Sequence, residues 1–226
     1  MSTFQRYILS EITAELPKLS NKKVAFGAAA YMKNIAPFLG VGAPMRRKLF
    51  KEIFKAAPTP TSEELGKTAR ALWKLDEREY QYAAIDMIAF FIDSADKSFL
   101  KNHVQYLLAQ KSWWDTVDAL GSAAISPLTV KYPSVTLMRS WTKSPNMWIN
   151  RAAIQHQRGR KSQTDIALLF EILDAHSNRH EFFIAKAIGW ALRDLSRVDN
   201  LAVKQFLSAH PELDKVAVRE ARKLGY

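Results

Sequence analysis

The residues with the most chemical promise lie in KSWWDTVDAL (111–120), where two acids follow two consecutive tryptophans. Trp114 and Asp118 are four residues apart, so on a helix they share one face. A carboxylate beside an electron-rich ring is suited to stabilising a cation that develops in a transition state. Two more residues stand out downstream: Arg151 in MWINRAAI (147–154) and Trp190 in EFFIAKAIGWALRD (181–194). Tryptophans at helical spacing are most often core residues, and Asp118 with Arg151 could be no more than a salt bridge between structural units. Two features weigh against that plain reading. Trp113 and Trp114 are consecutive and cannot both point into one core, and a carboxylate on a basic surface repels the polyanion such a surface attracts. Other chemistries fall away. The chain has no cysteine, His176 and His180 have no third ligand nearby, and no HExxH, P-loop, GxGxxG or GxSxG motif is present. No metal and no cofactor is expected.

The elements that must carry these residues are helices. Apolar residues recur at i, i+3, i+4 and i+7 along almost the whole chain, and no segment alternates cleanly enough for a strand. Thr61-Ser62-Glu63-Glu64 has the spacing of a capping box, and Pro44 sits where a first-turn proline belongs, ahead of MRRKLFKEIFK. Four segments share a small residue followed by a branched aliphatic, at Ile85, Leu120, Ile154 and Ile188, with separations of 35, 34 and 34 residues. A constant period in this range with two helices per unit is the pattern of an α-solenoid. The expected fold is therefore all-α, an α-solenoid of HEAT-like helical repeats with a concave basic surface, forming a single domain over residues 1–226. Equivalent positions of successive second helices should line one face. Trp114 and Trp148 stand six residues before their anchors, Asp118 and Lys186 two before, Arg151 three before, and Trp190 two after.

Composition sets the partner class. In 226 residues, Lys+Arg 33 against Asp+Glu 22 gives a net charge of +11, which favours a polyanion and nucleic acid first. With 48% apolar residues the chain can bury a core, so a disordered chain is excluded. The apolar stretch Ala83 to Ile92 is short and interrupted by Asp86, and the first residues lack the apolar run of a signal peptide, so the expectation is a cytoplasmic monomer, nucleoid-associated when bound to DNA, with no membrane contact.

KSWWDTVDAL, MWINRAAI and EFFIAKAIGWALRD, together with YMKN (31–34) and FLGVGAPMRR (38–47), resemble the AlkD-like DNA alkylation repair family of HEAT-like-repeat DNA glycosylases. The resemblance runs from about Tyr31 to Arg197. It implies a monofunctional glycosylase of base excision repair acting on double-stranded DNA that contains alkylated bases. Its substrates would be cationic N3- and N7-alkylpurines such as 3-methyladenine and 7-methylguanine, hydrolysed without a base-flipping pocket. Motif for motif, it places the catalytic acid at Asp118, its aromatic partners at Trp114 and Trp190, and the arginine at Arg151, to grip a phosphate or orient Asp118. Tyr31, Arg46, Arg47, Trp113, Trp148, Lys186 and Arg193 are expected on the DNA-binding surface, Tyr31 with an ordinary half-buried tyrosine as the equal alternative. Two other classes stay open: a non-catalytic HEAT-like protein recognising distorted or branched DNA, and a scaffold whose basic face meets an acidic protein.

Overall fold

The structure is a computed structural model that describes residues 1–224, so the last two residues of the expected 1–226 domain lie outside the described residues. The helices group into two compact units, residues 1–124 and 125–226. The first holds α1 (Thr3–Glu15), α2 (Lys22–Tyr31), α3 (Ala43–Ala56), α4 (Ser62–Lys74), α5 (Arg78–Phe90), α6 (Gln105–Ala109) and α7 (Trp114–Leu120), with a wider π turn over Leu100–Val104 leading into α6. The second holds α8 (Ser126–Lys131), α9 (Val135–Thr142), α10 (Met147–Gln155), α11 (Ile166–Asp174), α12 (Phe182–Ser196), α13 (Asn200–Ala209) and α14 (Lys215–Ala221). Among the described residues there is no strand, and no helix is long and apolar enough to cross a membrane.

Local sequence sets the helix starts. Ser2, Asn21, Asn146, Asp165, Asp199 and Asp214 each use a side-chain oxygen to accept a first-turn backbone N–H, satisfying donors the helix itself leaves unpaired. Thr61 and Glu64 form the expected reciprocal capping box at the head of α4, and Pro44 lies in the first turn of α3.

The repeat anchors Ile85, Leu120, Ile154 and Ile188 fall on α5, α7, α10 and α12, and all four are buried. Each such side chain contributes about 1.5–3 kcal/mol on leaving water. In the first unit α5 packs against α3 and α7; in the second α12 packs against α10 and α14. The second helices of successive repeats thus stack on one another within each unit. The contact of α12 with α14 depends on Gly189, where a Cβ would lie 2.5 Å from the Glu220 Cβ and 2.6 Å from the Ala217 carbonyl oxygen.

The FLGVG segment between α2 and α3 winds around a buried acid. Glu79 accepts the backbone N–H groups of Leu39 (3.0 Å), Gly40 (2.8 Å) and Val41 (3.1 Å). Gly40 has φ +81°, and a Cβ there would sit 2.2 Å from the Asn21 carbonyl oxygen, so only glycine fits.

Two buried histidines make the fold acid-sensitive. Burial holds the imidazoles of His156 and His176 down at a pKa of about 4, against an ordinary 6.5; the Arg160 charge adds to the effect at His156 and Arg179 at His176. The unfolded chain then binds protons that the folded chain refuses between pH 6.5 and 4. Stability is full above pH 6.5 and falls as the pH drops towards 4, by about 2 kcal/mol per histidine at pH 5. The melting temperature is expected to fall between pH 7 and pH 5, and His156→Gln to lose less over that interval than the parent. Equal pH slopes in the two proteins would show that His156 does not carry the effect.

Candidate active site

In the first unit, α7 begins at Trp114 and buries Thr116, Val117 and Leu120, leaving Trp113, Trp114 and Asp118 half-buried. The opposite demands of consecutive tryptophans are met by making Trp113 the N-cap residue in extended backbone. Tyr31, at the C-terminal end of α2 and 73% exposed, sets its ring edge-on to Trp114, with centroids 6.3 Å apart at 82°. The two rings help wall a groove of about 280 Å³, open to solvent, that Met32, Phe38 and Tyr82 also line.

Beneath Trp114 lies a buried polar network. Arg78 donates from Nε to Asp115 Oδ2 (2.9 Å) and from a terminal nitrogen to Asp115 Oδ1 (2.6 Å), and also reaches the Lys111 carbonyl (2.7 Å) and Thr116 Oγ1 (3.0 Å). The Tyr82 hydroxyl donates to Asp115 Oδ2 at 2.7 Å; burial and the neighbouring Asp115 charge push its pKa well above the usual tyrosine value. Arg46 continues the chain, its guanidinium 4.2 Å from the Tyr82 ring centroid and 3.9 Å from Asp86. Of the two arginines expected on DNA, Arg47 is exposed, whereas Arg46 is turned inward, and burial lowers its pKa despite Asp86.

In the second unit Arg151 and Trp190 do meet. The Arg151 guanidinium lies 5.1 Å from the Trp190 ring and 5.9 Å from Phe183, and donates to the Phe183 carbonyl. Arg151, expected to grip a phosphate or orient Asp118, has 1% of its surface exposed and lies against Trp190 and Phe183. Trp148 packs on Phe183, with centroids 5.0 Å apart. Trp190 is ringed by two further cations, Arg158 at 5.3 Å and Lys186 at 5.4 Å. Its indole N–H donates to Glu220 Oε2 at 3.2 Å.

Glu220 also accepts from Lys186 (2.9 Å), Arg193 (3.1 Å) and Lys223 (2.7 Å). Burial alone would raise its pKa, but hydrogen bonds from Lys223 and Lys186 overcome that and hold it at about 2. Lys186 and Arg193, both expected on DNA, are thus gathered onto one carboxylate.

Glu220, Asp115, Arg78 and Tyr82 are not among the residues expected from the sequence. Glu220 had a signal: it stands one 34-residue period after Lys186, in the same repeat position as Asp118. Asp115, Arg78 and Tyr82 had none that a single sequence shows, since their pairing spans 33 to 37 residues and depends on how α5 meets α7.

A family model described as DNA alkylation repair enzyme matches residues 12–224. The chain belongs to that family. A solved structure of a predicted DNA alkylation repair enzyme from Enterococcus faecalis is similar at 30% identity and TM-score 0.81, covering 90% of this chain and 95% of that one. AlkD2 from Streptococcus mutans shares the helical fold at 18% identity and TM-score 0.61, over 80% of this chain and 89% of that one. No curated protein matches the chain. Within the DNA alkylation repair enzyme family, the matched span contains every residue the sequence reading singled out for chemistry, Trp114, Asp118, Arg151 and Trp190 among them.

Proposed function

We infer that this protein is a monofunctional DNA glycosylase that releases cationic N3- and N7-alkylpurines from duplex DNA. The observation that carries the reading is membership of the DNA alkylation repair enzyme family together with Trp114 and Asp118 half-buried on one face of α7, Trp114 beside the exposed ring of Tyr31.

The chemistry needs little more than those groups supply. An N3- or N7-alkylated purine already carries positive charge and leaves as a neutral base, so no acid has to protonate it. The C1′–N bond breaks with its electron pair going to the base, and the sugar gains oxocarbenium character. Asp118 offers negative charge to that cation and a place for water to be held; the water oxygen bonds to C1′ and gives up its proton to Asp118, from which it passes to solvent. Trp114 faces the deoxyribose with its π surface, a contact worth about 0.5–2 kcal/mol against a cation. In the second unit Trp190, braced by Arg151, meets the DNA, while exposed cations such as Arg47 hold the DNA backbone without reading sequence. We take the protein to act as a cytoplasmic monomer.

The test is release of free base from duplex DNA carrying 7-methylguanine, followed by chromatography under single-turnover conditions. The expected result is enzyme-dependent release of 7-methylguanine and none of uracil from a matched duplex, because uracil is a neutral, poor leaving group. Tight binding to the methylated duplex with no release would instead leave a non-catalytic DNA-binding protein.

A further inference from the structure

Glu220 is a buried acid surrounded by cations in a chain of net charge +11. Its carboxylate is 2% exposed and takes four donors at once: the Trp190 indole N–H and the cationic groups of Lys186, Arg193 and Lys223. One cation would be enough to neutralise it. Instead, a single charge gathers three cations and the edge of one ring.

Each of these contacts has a mechanical consequence. An indole held only by its faces can turn over about its Cβ–Cγ bond, whereas an N–H hydrogen-bonded to a fixed carboxylate selects one orientation. The faces of Trp190 are met by Arg151 at 5.1 Å, Arg158 at 5.3 Å and Lys186 at 5.4 Å, so the ring's edge is pinned while cations flank its faces. A hydrogen bond to an anion also pushes electron density into the indole, which strengthens its attraction for a cation. The lysines and the arginine are long, flexible side chains, and sharing one carboxylate confines them. The backbone is built for this contact, because Gly189 lets α14 come close enough to α12 for Glu220 to reach across.

Resting on the glycosylase reading, we propose that Glu220 is a positioning residue for base release: it fixes the orientation of Trp190 and confines Lys186 and Arg193 beside it. It touches no substrate itself and acts through those three side chains.

Glu220→Gln preserves size and an acceptor but removes the charge. It is expected to slow single-turnover base release 10- to 100-fold at saturating enzyme. It should also tighten binding to undamaged duplex and steepen its salt dependence by about one unit, since freed cations now meet phosphates. In a ¹⁵N-correlated spectrum, the Trp190 indole resonance, assigned by its absence in Trp190→Phe, should move. Glu220→Asp keeps the charge but shortens the reach; the indole resonance should move and base release fall while the salt dependence stays as in the parent. That variant keeps the test open should Glu220→Gln fold poorly. An unmoved indole resonance in either folded variant, or base release at the parental rate, overturns the proposal. If the parent protein itself releases no base, the glycosylase reading fails, and the indole resonance and salt dependence still decide whether Glu220 positions these groups.

Discussion

Asp118→Asn is expected to leave the protein folded and bound to duplex DNA while base release falls by about two to three orders of magnitude, the usual cost of removing a charge-stabilising group. Asp118 is half-buried on α7, so the amide fits where the carboxylate was without opening a cavity. The substrate's sugar is neutral in the ground state and cationic only as the bond breaks. A negative charge beside it is therefore used in the transition state and hardly before. Its loss should appear in the rate at saturation and not in affinity. Single-turnover release of 7-methylguanine, measured with DNA binding by fluorescence anisotropy on the same preparation, checks both halves. A variant within about threefold of the parental rate would remove Asp118 from the chemistry.

The helical architecture was legible because each local signal agreed with the next. The 3.6 period, the Thr61–Glu64 capping box and the four anchors at a spacing near 34 all describe the same helix pairs, and the anchors are buried as the repeat requires. The α7 face carrying Trp114 and Asp118 was legible for the same reason, since four residues on a helix fix a shared direction. What could not be read was which charges face inward. Arg46 and Arg47 are neighbours with identical side chains; one lies over Tyr82 and the other is in solvent, a difference set by how α3 meets α5. Lys186 and Arg193 read as DNA contacts because their partner is more than twenty-five residues away on α14. Gly40 and Gly189 carry information only once a neighbouring backbone is seen to occupy the space a Cβ would need.

Asp115→Ala should give the opposite result to Asp118→Asn: a large loss of stability. The two acids of WWDTVD are three residues apart, yet Asp115 holds Arg78 through two hydrogen bonds and accepts a third from Tyr82, in a site where the Arg78 side chain is fully buried. Water cannot reach the Arg78 guanidinium. Deleting the carboxylate leaves that charge with only the Lys111 carbonyl and Thr116 hydroxyl, and strands the Tyr82 hydroxyl without its acceptor. Breaking a buried ion pair from one side costs about 3–5 kcal/mol. For a chain of this size that corresponds to a fall in melting temperature of roughly 6–20 °C. The double variant Asp115→Ala, Arg78→Met removes the stranded charge together with its partner, and should recover part of the loss even though it deletes more polar contacts than the single change. Thermal unfolding of the parent, the single variants and the double variant closes the cycle. If Asp115→Ala melts within a degree or two of the parent, or if Arg78→Met adds a further penalty on top of it, Asp115 does not serve as the counter-charge that seats α7 on α5.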